Sequence, residues 1–306
     1  MVAPVSGQNR EEKLRLGIVG LGKMGQLHWR TWQRFSDVAV TALVDTDPAV
    51  ALWAQEQGIP FFRNKAELVG RVDAAIIATP AGQHVSCALP LLSAGIHCLV
   101  EKPIAVEVID GERLVAAAAC HGAVLAIGHS ERFNPGVRHV RDVPFSALKR
   151  IEVFRMAPLR LSGNADADVV QDLMIHDLDW VINLLGQMPC SFRVNDARWL
   201  DGSLSYVSCE LSFTRSVQIM LTASCLETVA RREVLVHGVD GKTRAINLSI
   251  GADSPAPDPL TLQARAFLDA LQGRASAIAT GEEALLVTEL VDRIRALCEE
   301  ADASSL

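Results

Sequence analysis

The segment LRLGIVGLGKMGQLH sets a short apolar run against three glycines, Gly20, Gly22 and Gly25, and then opens an amphipathic stretch. A G-x-G-x-x-G placed after a strand and before a helix constrains a chain strongly. The first glycine permits a tight turn, the second lets a pyrophosphate approach the backbone, and the third lets helix and strand pack closely. The phosphate charge then meets the positive end of the helix. Taken alone, the pattern is also compatible with a glycine turn that holds no ligand. Asp45, twenty positions beyond Gly25, closes the next apolar run. A carboxylate there accepts hydrogen bonds from an adenosine ribose and repels a 2′-phosphate. No Arg or Lys follows within 45–48, so the pattern favours NAD over NADP. The plainer alternative is that Asp45 opens the VDTDP turn.

The first half continues as alternating apolar runs and helical patterns, the signature of a parallel sheet wrapped by helices. It predicts strands over 14–19, 39–44, 74–78, 97–100 and 124–128, with helices over 24–35, 49–57, 84–94 and 108–120. After about Asn134 the pattern turns to long alternating strands over 147–156, 191–200, 205–213, 217–225 and 233–237. Val207, Cys209, Leu211 and Phe213 form one face of the third of these, and Tyr206, Ser208, Glu210 and Ser212 the other, as expected of antiparallel strands. Helices over 169–185, 260–271 and 282–300 cover the apolar face, and the Pro-rich stretch 253–259 reads as a loop. The expected fold class is α/β: a Rossmann domain over 1–133, and an α+β domain for substrate binding and oligomerisation over 134–306. The polar face carrying Ser208, Glu210, Gln218, Thr222 and Ser224 is expected either in solvent or in a wet subunit interface.

A length of 306 residues accommodates two domains, and 49% hydrophobic with 21% charged residues is the composition of a compact fold. No apolar stretch reaches the roughly 20 residues that span a bilayer. The N-terminus reads as a polar tail without the order of a secretory signal, so a cytoplasmic protein is expected. Seven cysteines without a C-x-x-C pair resemble buried small hydrophobes, with no disulfide and no zinc site. A net charge of −7 and no basic run argue against nucleic acid and leave a small-molecule partner.

Two further segments carry chemistry. Glu101, Lys102 and Pro103 end the strand over 97–100, whose carboxyl end opens into the ligand crevice of such a fold. In DLMIHDLDWVINLLG, helical spacing puts Asp172, His176 and Asp179 on one face, opposite Met174, Leu178, Val181, Ile182 and Leu185. A histidine there can accept a proton near neutral pH. A metal held by His and Asp at i, i+4 is the rival reading, but no third ligand is evident and no metal site is expected. A plain surface histidine is the other alternative.

With these residues stated, the chain resembles the Gfo/Idh/MocA oxidoreductases: G-x-G-x-x-G at 20–25, ATP-x-x-x-H ending at His84, EKP at 101–103 and D-x-x-x-H at 172–176. The resemblance implies Lys102, Asp172 and His176 as catalytic residues. It implies Gly20, Gly22, Gly25, Asp45, Thr79, Pro80, His84 and Glu101 around NAD, and it implies a homo-oligomer. It also implies that the Lys102–Pro103 bond is often cis. Ala81 stands where the family often has Asn, which removes a side-chain contact to the cofactor. The segments GHSERFNP and DLMIHDLD look most like a branch acting on UDP-N-acetylglucosamine at carbon 3. The expected activity is oxidation of a secondary hydroxyl of a sugar or sugar nucleotide. A dehydrogenase of free sugars or inositol, or a non-catalytic NAD-binding regulator, are the alternatives. For the diphosphate of a sugar nucleotide, Arg132, Arg155 and Arg160 are candidate contacts, although exposed arginines are more often simple surface charges.

Overall fold

The computed structural model describes residues 13–158, 168–214, 217–249 and 257–303. Two compact units emerge, one of residues Met1–Glu101 and Ala116–Leu125, the other of Lys102–Val115 and Ala126–Leu306.

The first unit contains β1 (Leu14–Val19), α1 (Lys23–Trp32), β2 (Val38–Val44), α2 (Pro48–Glu56), β3 (Phe61–Phe62), β4 (Ala74–Ile77), α3 (His84–Ser93) and β5 (His97–Val100). Its strands pair in the order β5-β4-β1-β2-β3, all parallel. The central strands are apolar without alternation because helices cover both faces. Leu16, Ile18, Leu43, Ile76 and Ile77 are accordingly fully buried. α2 starts where Asp47 accepts the Ala49 N–H at 2.9 Å and Pro48 takes the first helical position. Sequence order reverses on either side of β1, so the crevice of this sheet lies at the carboxyl ends of β1 and β4.

α4 (Val108–His121) and β6 (Leu125–Ile127) follow. The second unit continues with α5 (Pro135–Arg141), β7 (Leu148–Pro158), a π turn over Val170–Met174, α6 (Ile175–Leu185), β8 (Ser191–Leu200), β9 (Ser203–Ser212), β10 (Gln218–Glu227), β11 (Arg231–Gly238), β12 (Thr243–Asn247), α7 (Pro259–Leu271), β13 (Ala279–Thr280) and α8 (Gly281–Ala303). Its six-stranded sheet runs β12-β11-β7-β10-β9-β8, antiparallel except for β7 against β10. Val207, Cys209 and Leu211 face a core shared with Ile219, Leu221, Val153, Val234 and the helices. Filling such positions contributes roughly 1.5–3 kcal/mol per large side chain.

The predicted helix over 169–185 forms, but its first turn is π-wound. α5, β3, β12 and β13 are additional elements. Asn134 caps α5 by accepting the Gly136 N–H at 2.9 Å. Two expectations need correction. Ser208, Thr222 and Ser224 are buried within one chain, because small hydroxyls sit low between long neighbours at the centre of the sheet. Cys120 and Cys190 are exposed, unlike buried Cys87, Cys98, Cys209 and Cys298. Among the described residues, no helix is long and apolar enough to cross a membrane.

Candidate functional site

In the glycine loop of the first unit, the protein's own contacts require glycine at two of the three positions. Gly20 has φ +85°, and a Cβ there would lie 2.7 Å from the Thr79 nitrogen. At Gly25 a Cβ would lie 1.9 Å from the Gly20 carbonyl oxygen, so loop and helix can approach only without it. Gly22 is different: a Cβ there meets nothing within 4 Å, and the residue opens onto free space at the start of α1. No side chain caps that helix and its first turn holds no acid, which leaves its N-terminal amides suited to an anion. This cradle fits the pyrophosphate of a dinucleotide.

Asp45 follows β2, where its Oδ2 accepts the Leu21 N–H at 2.6 Å and its Oδ1 accepts the Asp47 N–H at 2.9 Å. It therefore shapes the turn and also ties it to the glycine loop. Thr79 and Pro80 follow β4, and the Thr79 hydroxyl is buried without a hydrogen bond among the described residues. The buried His84 ring donates from Nε2 to the Thr79 carbonyl at 3.0 Å, which props that turn. Glu101 lies 2.7 Å from Nε2 of His28, a fully buried histidine on α1. The sequence signal for His28 is a histidine three residues beyond the last glycine of the loop, on the helix face turned inward.

In the second unit, the Lys102–Pro103 bond is cis. Lys102 Nζ donates to the Asp172 carbonyl at 2.9 Å and to its Oδ1 at 3.1 Å. This double contact aims the ammonium and satisfies two of its three protons. His176 opens α6 four residues later, and its Nδ1 is buried with no partner among the described residues. Burial first, then the positive charges of Lys102, Arg155, His129 and Arg232, hold its pKa well below the ordinary 6.5. A neutral imidazole with a free lone pair follows.

Asp179 does not join them. It is fully buried and receives Arg132 bidentately, Nε to Oδ2 at 2.8 Å and the terminal nitrogen to Oδ1 at 2.6 Å. The π turn breaks the 3.6-residue phase between Asp172 and the rest of the helix. Arg155 is likewise buried, bound to Asp177 at 2.7 and 2.8 Å and to Glu131 at 2.9 Å. Trp180 adds its indole N–H to Asp177 Oδ1 at 2.9 Å. Arg132 and Arg155 are thus neither diphosphate contacts nor surface charges, since their forks are occupied by internal carboxylates. Arg160 lies outside the described residues. No group of three or more metal-ligating side chains occurs among the described residues.

Residues 14–129 match the family described as "Oxidoreductase family, NAD-binding Rossmann fold" (GFO_IDH_MocA). The chain is 34% identical over 180 residues to UDP-N-acetylglucosamine 3-dehydrogenase of Acidithiobacillus ferrooxidans, covering 59% of this chain and 57% of that protein. The match thus spans less than two thirds of that relative. It is 27% identical over 257 residues to inositol 2-dehydrogenase of Rhizobium meliloti (strain 1021), covering 76% of each. Among solved structures, UDP-N-acetylglucosamine 3-dehydrogenase GnnA from Acidithiobacillus ferrooxidans superposes with a TM-score of 0.81 at 26% identity, over 93% of this chain and 97% of that one.

Proposed function

Through residues 14–129 the chain belongs to the Gfo/Idh/MocA oxidoreductases, with an NAD-binding Rossmann domain, and from that premise we propose that it oxidises a secondary hydroxyl of a sugar nucleotide, UDP-N-acetylglucosamine at carbon 3. The observation that carries this reading is a half-buried His176, its Nδ1 enclosed and its proton affinity low, in a unit where Lys102 is held by Asp172. The similarity to the 3-dehydrogenase supports the choice of substrate.

When bound, NAD supplies the hydride acceptor. Gly20, Gly22 and Gly25 with the start of α1 would hold its pyrophosphate, and Asp45 would accept from its ribose, which favours NAD over NADP. His84 and Glu101 act from behind, by bracing the Thr79–Pro80 turn and α1. In the second unit His176 takes the hydroxyl proton. Lys102 donates to the same oxygen and stabilises the negative charge that develops there. Asp172 fixes the Lys102 ammonium; its own carbonyl and carboxylate both serve. Lys102 and His176 can exchange the role of proton acceptor without altering this site.

The reading includes a homo-oligomer, supported by the sheet face opposite the core. There Phe154, Tyr206 and Met220 are half-buried among charged neighbours in a single chain. A monomer mass by light scattering would remove that part. A cytoplasmic setting accords with seven free cysteines.

The test is NAD reduction with UDP-N-acetylglucosamine, UDP-glucose, free N-acetylglucosamine and myo-inositol, each with a carbonyl trap to draw off the ketone. Lys102→Met and His176→Asn should each lower turnover of UDP-N-acetylglucosamine about a hundredfold or more while retaining NAD. Preferred turnover of inositol would overturn the sugar-nucleotide assignment. Failure with every alcohol would leave an NAD-binding regulator.

A further inference from the structure

β11 lies antiparallel to β7 with Arg232 opposite Arg155. Residues directly opposite in an antiparallel pair leave the sheet on the same face. That face is the one where Val153 meets Val234 and Ile151 meets Val236, the core side beneath the helices. Arg155 turns inward from it and is consumed by Asp177 and Glu131. Its contact with Asp177 fastens the first turn of α6, and hence His176, over this end of the sheet. Arg232 leaves the same face but stays exposed, and it makes no side-chain hydrogen bond or ion pair among the described residues.

Arg231 points to the opposite face, where it pairs with Glu233 through Nε at 2.9 Å and lies 4.2 Å above the Phe154 ring. The two-residue period of the strand therefore sends one guanidinium to a ready partner and the other to the face of Arg155, without a partner among the described residues. The carboxylates around His176 are already engaged, Asp172 by Lys102 and Asp177 and Glu131 by Arg155. A further sign of proximity is that the Arg232 charge contributes to the low proton affinity of His176. An uncommitted planar fork in a field of positive charge is suited to a bidentate phosphate.

We propose that Arg232 is the anion-binding residue of the substrate site, gripping a phosphate of the sugar nucleotide beside His176. The inference rests on the sugar-nucleotide reading above and adds the residue that distinguishes such a substrate from a free sugar.

Calorimetric titration of the NAD-loaded protein with UDP tests it, because UDP carries the diphosphate but lacks the hexose to be oxidised. Arg232→Gln should weaken UDP binding about ten- to a hundredfold, the scale of a hydrogen bond between charged groups. The KM for UDP-N-acetylglucosamine should rise by a similar factor with kcat within about threefold, and Arg232→Lys should recover part of the loss. NAD affinity should not change. If Arg232→Gln binds UDP as the parent does, the inference fails while turnover of UDP-N-acetylglucosamine leaves the dehydrogenase reading standing. Weakened NAD binding would assign the guanidinium to the cofactor and overturn it as well. A parent protein that neither binds UDP nor oxidises UDP-N-acetylglucosamine, yet oxidises myo-inositol, removes both the substrate reading and this inference.

Discussion

Arg132→Met isolates the energetics of the buried ion pairs that hold α6. In the parent, the Asp179 carboxylate has no exposure and receives two charge-assisted hydrogen bonds from Arg132, at 2.8 and 2.6 Å. Glu283, the other partner of Arg132, is 46% exposed and loses little when released to water. The cost therefore falls on Asp179. Removing one partner of a buried pair costs about 3–5 kcal/mol. An upper bound follows from proton uptake: neutralising an aspartic acid with an ordinary pKa of about 3.9 at pH 7 costs about 4 kcal/mol, and the stranded carboxyl does this before paying more. The expected destabilisation is about 3–4 kcal/mol at pH 7, or a fall in Tm of roughly 6–16 °C for a domain of this size. The stranded carboxyl binds its proton more readily folded than unfolded, so the stability of the variant is lost as pH rises. Its deficit relative to the parent should shrink by about 1.4 kcal/mol per pH unit on going down, falling to about 1 kcal/mol or less near pH 5. Urea unfolding of parent and variant across that range measures it. Arg132→Met with Asp179→Leu removes both charges and should recover most of the loss. A deficit below about 1 kcal/mol at pH 7, a deficit independent of pH, or a double variant no better than the single one would refute the reasoning.

Asp45→Ala should narrow the preference for NAD over NADP in a titration of both cofactors, and it should loosen the glycine loop because the Leu21 N–H loses its acceptor. Gly25→Ala drives a Cβ to within 1.9 Å of the Gly20 carbonyl oxygen, so NAD binding by calorimetry should be abolished or the first unit should unfold. With the His176 pKa held well below 6.5, the acid limb of the kcat/KM profile should lie well below that value; an acid limb near 6.5 would exclude His176 as a base kept neutral by its surroundings. By the same shift the unfolded chain binds that proton first, so His176 lowers stability as pH falls below about 6.5, and His176→Asn should lessen this loss.

The Rossmann strands were legible because strands covered on both faces are continuous apolar runs, and the glycine trio marks its own turn. β3 and β13 are two residues each, and the Thr243–Asn247 strand is mostly polar, so none of them carries a period to read. The candidate site was legible as residue types and only partly as geometry. Helical spacing from Asp172 through His176 to Asp179 assumes one uninterrupted α-helix, and the π turn over Val170–Met174 breaks it. Asp172 accordingly meets Lys102, whereas Asp179 turns into the core. The deeper obstacle is that a sequence displays charges but not their partners. Asp177 and Asp179 sit in an otherwise apolar helix with Leu178, Trp180 and Val181, a placement that is costly without buried cations. That pattern was the available signal for Arg132 and Arg155. Once those two arginines are assigned to Asp179 and Asp177, the two acids flanking Leu178 become anchors of α6. Their removal from the list of substrate contacts leaves the exposed Arg232, opposite Arg155 in the ladder and without a side-chain partner among the described residues, as the guanidinium of that strand pair that can meet an anion.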